Sequence, residues 1–121
     1  IENVNPDMPA TVDARALQEM AERGDLGECV VQGPLALDLA LSAEAGAVKG
    51  VSGPVVGAAD GLIMPNLETG NVLYKALVHL AGASSAGIVV GARCPIVLLS
   101  RSDQPASKLN SIALAVLAAS A

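Results

Sequence analysis

Apolar residues recur at helical spacing in several stretches of the chain. Residues 11–23, a segment that ends near Leu80 and a segment that begins near Pro105 each repeat aliphatic side chains every three or four positions, which predicts amphipathic helices. Residues 35–50 are ambiguous, because four leucines alternate there as they would in a strand. Leucine and alanine are strong helix formers, however, so we predict a helix there, with Pro34 at its first position.

Four short apolar runs lie between these helices and predict strands: residues 28–31, 61–64, 87–90 and 95–99. Strands that alternate with helices indicate an α/β fold with a largely parallel sheet flanked by helices. The length of 121 residues fits one domain over residues 1–121. Residues 1–9 resemble a linker. In such sheets, ligands bind beyond the carboxyl ends of the strands.

Composition narrows the classes of function. The chain is 52% hydrophobic, has one tyrosine and no tryptophan or phenylalanine, and carries a net charge of −5. An acidic chain without aromatic stacking surfaces is unsuited to nucleic acid. No apolar run approaches the ~20 residues of a membrane span, and no signal peptide opens the chain, so we expect a cytoplasmic protein. Because Ile1 is not an initiator methionine, we expect a piece of a longer protein.

The cysteines and the histidine offer no metal site. Cys29 and Cys94 lie in apolar runs, and we predict that both are buried free thiols. Two distant cysteines and His79 do not have the spacing of a metal-binding set, so no metal is expected.

Ser100 and Arg101 directly follow the last predicted strand and precede a helix. Backbone N–H groups at a helix start, together with one guanidinium, suit an oxyanion or phosphate site. The alternative is a solvated loop in which Ser100 only caps and Arg101 is only exposed. A single Ser-Arg pair does not decide between these readings.

The segment "MPNLETGNVLYKAL", residues 64–77, crowds polar residues at a predicted strand exit. Asn66 or Thr69 is suited to cap the following helix, and Gly70 permits a close approach of backbone to a ligand. The alternative is capping and turn chemistry alone, with Tyr74 as a packing residue. The chain lacks the dinucleotide-binding, P-loop, serine-hydrolase and zinc-protease motifs.

Three segments together resemble the C-terminal part of the phosphate acetyl/butyryl transferase family: "GPLALDLALS" (33–42), "MPNLETGNVLYKAL" (64–77) and "LLSRSD…KLNSIALA" (98–115). The resemblance covers essentially the whole chain, in order, and is closer to the butyryl branch. It implies an exchange of acyl-CoA and inorganic phosphate with acyl phosphate and free CoA, in which the thiol attacks the acyl phosphate directly. Coenzyme A is then a substrate, and no permanently bound cofactor is expected.

The resemblance also implies roles for particular residues. Ser100 would donate a hydrogen bond in the transition state, and Arg101 would hold the phosphate or the oxyanion. Acetyl-type members carry an aspartate that acts as the general base at the position where this chain has Ser107. Asp103 takes that role, or the base lies elsewhere, or proton removal depends less on the protein; we favour Asp103. The remaining residues expected at the substrates are Asn66, Gly70, Asn71, Tyr74, Lys75, Ser107 and Asn110.

Family members are more than twice this length and hold the site in a cleft between two α/β domains. The resemblance therefore implies an isocitrate/isopropylmalate-dehydrogenase-like fold, of which this chain is the second domain with the C-terminal helix (105–121). It further implies a homodimer and half of an active site, inactive without the N-terminal domain. The alternative is a non-catalytic module that binds acyl-CoA or sets the oligomeric state of a fused enzyme.

Overall fold

The computed structural model describes residues 2–101 and 103–120. These residues form five helices: α1 (Pro9–Glu22), α2 (Leu37–Leu41), α3 (Ala43–Lys49), α4 (Leu67–His79) and α5 (Pro105–Ser120). The contacts divide the chain into two compact units, one that ends at Leu67 and one that begins at Glu68. The first unit contains α1 to α3, and the second contains nearly all of α4 and the whole of α5. The expectation of one domain over the whole chain stays a prediction.

Helix α1 begins where Pro9 supplies a fixed φ and has no N–H to satisfy. The preceding turn is tied to the helix by Thr11, which is 5% exposed. Its Oγ1 accepts a hydrogen bond from the Asn5 N–H at 2.8 Å and lies 2.8 Å from the Met8 carbonyl oxygen. The predicted helix over 11–23 is thus confirmed, and it starts two residues earlier than the periodicity indicates.

The predicted helix over 35–50 is interrupted at Ser42. That residue has φ −134° and ψ 114°, and its side chain caps α3 by accepting from the Ala45 N–H at 3.2 Å. The serine side chain forms such local hydrogen bonds with backbone groups in non-helical conformations. Serine is therefore disfavoured inside helices and favoured at their caps. The predicted start at Pro34 is wrong, because α2 begins at Leu37. Helix α3 ends at Gly50, whose φ of 65° suits a residue without a β-carbon.

The buried centre of the first unit lies around α2. Leu39 is fully buried and Ala40 is 6% exposed. Their carbonyl groups accept hydrogen bonds from the backbone of the following loop, Leu39 from the Gly57 N–H at 2.8 Å and Ala40 from the Ala59 N–H at 3.2 Å. The loop after α3 therefore closes back on α2 and satisfies carbonyls that a five-residue helix leaves unpaired.

The sheet predicted by the alternating pattern is absent from the described residues. They contain one isolated antiparallel bridge, between Val89 and Ile96, and no longer ladder. A strand is defined by its hydrogen bonds to a neighbouring strand, which the apolar runs do not find within residues 2–101 and 103–120. The largely parallel α/β sheet consequently stays a prediction.

The apolar runs are exposed where the pattern predicts burial. Cys29 and Cys94 are free thiols, as expected, but both are exposed, so their predicted burial is wrong here. The apolar positions of α5 are likewise open, with Leu109 68% and Leu117 69% exposed. The reason is the same in each case: no sheet is present among the described residues to cover them.

Lys49 joins three parts of the first unit through charge. Its Nζ lies 2.8 Å from Asp38 Oδ2 on α2 and 3.2 Å from Glu2 Oε1. The hydrogen bond from Lys49 lowers the pKa of the Asp38 carboxyl and of the Glu2 carboxyl, and the two carboxylates raise the pKa of Lys49, with the Asp38 bond the larger cause. Asp38 and Lys49 are well exposed and Glu2 is partly exposed, so water screens the attraction.

Replacing Gly57 by alanine is expected to destabilise the protein by at least about 3 kcal/mol, since strain and a clash add there. Gly57 has φ 74°, and a β-carbon there would overlap the backbone nitrogen of Ala43. Gly50 is the matched control: its φ is 65°, but its added β-carbon meets nothing. Gly50→Ala should cost only about 1 kcal/mol for the left-handed backbone. Urea denaturation measures both, and equal losses would contradict the proposed clash.

Replacing Lys49 by methionine is expected to raise the pKa of Asp38 and of Glu2 toward their ordinary values. The sign follows from linkage: a lowered folded-state carboxyl pKa contributes stability above the ordinary value, and this stability is lost as the pH falls through the folded-state value. The variant should therefore be less sensitive to acid below about pH 4. NMR titration of the carboxyl groups measures the shift, with Arg15→Met as the control. An unchanged Asp38 pKa would refute the link to Lys49.

Candidate active site

Helix α4 separates the predicted site residues from its apolar side. At about 100° per residue, Gly70, Asn71, Tyr74 and Lys75 fall within one arc of the helix. Leu73, Ala76 and Leu77 fall outside this arc, with Ala76 farthest from its centre and Leu77 directly beside Gly70. The Lys75 Nζ lies 5.3 Å from the centre of the Tyr74 ring, within the range of a cation–π contact. The sequence therefore gathers these polar side chains on one surface of the helix.

Three hydroxyl groups link α4 to α5 through the segment between them. The Tyr74 hydroxyl donates to Ser85 Oγ at 3.4 Å, and Ser85 Oγ donates to Ser107 Oγ at 3.1 Å. We call these residues the hydroxyl chain. Ser85 and Ser107 are half-buried, whereas Tyr74 is 39% exposed. The hydroxyl chain brings together Tyr74 and Ser107, two residues that the family resemblance places at the substrates.

Ser111 fixes the position of the segment before α5 relative to that helix. It lies one helical turn after Ser107, is 2% exposed, accepts from the Gly87 N–H at 3.0 Å and donates to the Ser107 carbonyl at 2.8 Å. One buried hydroxyl thus satisfies a backbone donor of the connecting segment and holds that segment against α5. Ser85, two residues before Gly87, is thereby brought to Ser107.

Ser100 and Asp103 form a closed turn just before α5. Asp103 Oδ2 accepts from the Ser100 N–H at 2.7 Å, and the Asp103 N–H donates to the Ser100 carbonyl at 3.1 Å. Arg101 is exposed on this turn, and α5 begins at Pro105. The carboxylate expected to act as a base therefore uses one oxygen to hold the backbone N–H of Ser100.

The structure distributes the other predicted residues along the surface. Asn66 directly precedes α4 and is exposed, as are Asn71 on α4 and Asn110 on α5. Sequence reasoning missed Ser85 and Ser111. A signal for Ser111 exists, because its hydroxyl lies one helical turn after Ser107 and directly before the apolar run of α5. Ser85 has a weaker signal, the pair of serines before an apolar run.

A cavity of about 770 Å³ lies in the first unit. It is lined by α1 and by residues 29–35 and 51–54, and its wall includes Gln32. The Gln32 side chain accepts from the Val55 N–H and donates to the Ser52 carbonyl, each at 3.0 Å. None of the predicted site residues lines it. The side-chain geometry of the second unit, not this cavity, therefore defines the candidate active site.

Two structural findings bear on the membrane and metal expectations. None of the helices within the described part of the chain is long and apolar enough to cross a membrane. Within the same part, no group of three or more histidine, cysteine, aspartate or glutamate side chains is placed to hold a metal ion.

Ser111→Ala is expected to cost about 1 kcal/mol of stability, because it removes the hydrogen bond that the Gly87 N–H donates to the buried Ser111 hydroxyl. Ser120 is a matched control: its Oγ donates to the Val116 carbonyl at 2.9 Å, the same bond to a carbonyl four residues back, but it is exposed. Ser120→Ala should change stability by less than about 0.5 kcal/mol. Equal effects in urea denaturation would mean that the Gly87 bond contributes nothing.

The chain matches known proteins over nearly all of its length. It is 54% identical over 119 residues to the phosphate butyryltransferase of Clostridium acetobutylicum, and 50% identical over 117 residues to the phosphate acetyltransferase of Thermotoga maritima. These alignments cover 98% and 97% of this chain and 40% of each relative. The chain thus spans about 40% of the length of these curated relatives.

A solved structure and a family model agree with these relatives. The crystal structure of a branched-chain phosphotransacylase from Enterococcus faecalis V583 is 46% identical, with a TM-score of 0.83. The match covers 96% of this chain and 41% of that one. The model of the phosphate acetyl/butaryl transferase family matches residues 2–116. The chain therefore belongs to the phosphate acetyl/butyryl transferase family.

Proposed function

We propose that this chain is the C-terminal part of a phosphate acyltransferase that exchanges acyl-CoA and inorganic phosphate with acyl phosphate and CoA. The family match over residues 2–116 carries the proposal. The closed turn that presents Ser100 and Arg101 supports it. A butyryl-type substrate is proposed first, with an acetyl-type substrate next, since relatives of both names are identical to this chain at about half of the aligned positions.

The exposed apolar runs support a role as part of a larger enzyme. Val30 is 67%, Ile63 83%, Val90 77% and Leu98 79% exposed. Exposed apolar segments of this kind are normally covered by other protein. In the proposed enzyme, these runs pair with strands from the rest of the chain and complete the isocitrate/isopropylmalate-dehydrogenase-like α/β domain. The N-terminal domain then supplies the further phosphate-binding arginines, and the complete protein is a cytoplasmic homodimer.

The proposed reaction requires three catalytic contributions from the protein. A CoA thiol of pKa about 8.5 must lose its proton before it attacks the acyl carbonyl. The carbonyl oxygen then gains negative charge, and a positioned donor there is worth roughly 3 kcal/mol. The phosphate leaves with negative charge, which the planar fork of a guanidinium matches. Ser100 is proposed as the donor, and Arg101 as the partner of the phosphate or the oxyanion.

The base is proposed to be Asp103. Its Oδ2 accepts from the Ser100 N–H, which places the carboxyl beside the residues proposed to stabilise the transition state. Its second oxygen is the one proposed to take the thiol proton. The surface of Gly70, Asn71, Tyr74 and Lys75 on α4 is proposed to face CoA and acyl phosphate. Asn66, Ser107 and Asn110 are proposed as further contacts to the substrates.

A second candidate function is a non-catalytic acyl-CoA-binding or oligomerisation module of a fused enzyme. Ser107 favours it, because a hydroxyl there replaces the carboxylate expected from the acetyl-type relatives. The Ser100-Arg101 turn favours the enzyme, since a module without catalysis has no need to fix that backbone.

Arg101→Ala in the full-length enzyme is expected to lower kcat/KM by at least about 100-fold, the scale of losing a transition-state partner. Thioester formation from butyryl phosphate and CoA measures the rate. Arg93 is the matched control, an exposed arginine in the segment before the last apolar run. Arg93→Ala should stay within about twofold of the parent.

Two results would contradict this proposal. A near-parental rate for Arg101→Ala would remove Arg101 from the mechanism. A full-length protein that binds acyl-CoA and shows no turnover would favour the non-catalytic module. The 121-residue chain by itself is expected to be inactive, and turnover by it would overturn the half-site.

A further inference from the structure

The direction of the hydroxyl chain determines what Ser107 offers to a ligand. A hydroxyl has one hydrogen to donate and two lone pairs that accept. Tyr74 donates to Ser85, and Ser85 donates to Ser107. A phenolic hydroxyl is a better donor than an aliphatic one, so Tyr74 donates to Ser85, and the Ser85 hydrogen is then left for Ser107. Ser107 Oγ is thereby occupied as an acceptor from Ser85, and its own hydrogen points away from Ser85.

We propose that Ser85 is a positioning residue that holds the Ser107 hydroxyl as a hydrogen-bond donor to a phosphoryl oxygen of the substrates. The inference rests on the proposed function and deepens it. It also gives Ser107 a role different from that of the aspartate in acetyl-type relatives. Ser107 donates a hydrogen bond to the phosphoryl oxygen and does not take the proton of the thiol. A donor in a chain of hydrogen bonds is polarised by the bonds it accepts, which suits an anionic acceptor.

The backbone around Ser85 is fixed well enough for this role. The Gly87 N–H, two residues on, is bound by buried Ser111, and Ser111 also binds the Ser107 carbonyl. Ser85 therefore approaches Ser107 across a segment anchored to the same turn of α5. Loss of the Ser85 hydroxyl should leave this anchor intact and release only the orientation of the Ser107 hydroxyl.

The two hydroxyl–hydroxyl distances predict how strongly each residue affects binding of the phosphoryl group. The Ser85–Ser107 contact is 3.1 Å, and the Tyr74–Ser85 contact is 3.4 Å, which is long for a bond between two hydroxyl groups. Ser107 should therefore matter most, Ser85 next and Tyr74 least. A phosphoryl oxygen can belong to inorganic phosphate or acyl phosphate, or to the phosphates of CoA, and the kinetic constants separate these sources.

The test measures phosphorolysis of butyryl-CoA by the full-length enzyme with both substrates varied. Ser85→Ala is expected to raise the KM for inorganic phosphate about five-fold and to change kcat less than about two-fold. The reason is that the Ser107 hydroxyl, which donates one hydrogen bond to the anion, is no longer held in its orientation. A rise in the KM for butyryl-CoA instead would support the same donor acting on a CoA phosphate. Ser85→Thr keeps the hydroxyl and should restore the KM to within about two-fold, and Tyr74→Phe should give a smaller rise than Ser85→Ala.

A double-mutant cycle shows whether Ser85 acts through Ser107. If it does, Ser85→Ala combined with Ser107→Ala will be no worse than Ser107→Ala alone. If the two effects multiply, Ser85 acts independently and the proposal is overturned. The matched control is the exposed neighbour Ser84. A KM in Ser85→Ala equal to that in Ser84→Ala would also overturn the proposal.

Calorimetric titration with inorganic phosphate separates this proposal from the proposed function. Phosphate binding that Ser85→Ala weakens, in a parent protein without turnover, would retain the hydroxyl donor and reject the acyl transfer. Turnover by the parent with no change in Ser85→Ala would retain the acyl transfer and reject the donor. Neither turnover nor phosphate binding would reject both.

Discussion

The second unit depends on one buried hydroxyl, that of Ser111. Helix α5 and the segment before it share no ladder of backbone bonds among the described residues, so a side chain must join them. Ser111 does this with two hydrogen bonds, one from Gly87 and one to Ser107. Because it is 2% exposed, water cannot replace either partner at low cost. The placement of Ser85 beside Ser107, and with it the candidate phosphoryl donor, follows from that joint.

The helices could be predicted from the sequence because their information is local. Apolar spacing of three and four residues located α1, α4 and α5 to within a few positions. The break at Ser42 was missed, although serine is a preferred cap, because leucine and alanine on both sides suggested a continuous helix. The apolar runs were harder, since a strand depends on a neighbour that the run does not specify. Cys29 and Cys94 were assigned to a core for the same reason, and each is exposed here.

The candidate site was predictable in part. Ser100, Arg101 and Asp103 lie within four positions, and their turn is a short-range feature that a motif can capture. The polar residues of α4 share a face because of helical geometry alone. Ser85 could not be found in this way, since its partner Ser107 lies 22 residues further along the chain. Contacts at that separation depend on the path of the intervening segment, which the spacing of residues does not reveal.

The division of residues 37–49 into two short helices has a consequence for the order of folding. Helix α2 has five residues and α3 has seven, and isolated helices shorter than about 12–15 residues are marginal in water. Neither can persist before the loop that carries Gly57 and Ala59 has bonded to α2. Closing that loop requires backbone partners 18 and 19 positions apart, so an entropy cost precedes the gain. Helix formation and loop closure in this region are therefore a single cooperative event, and α1 is the helix of this unit able to form ahead of it.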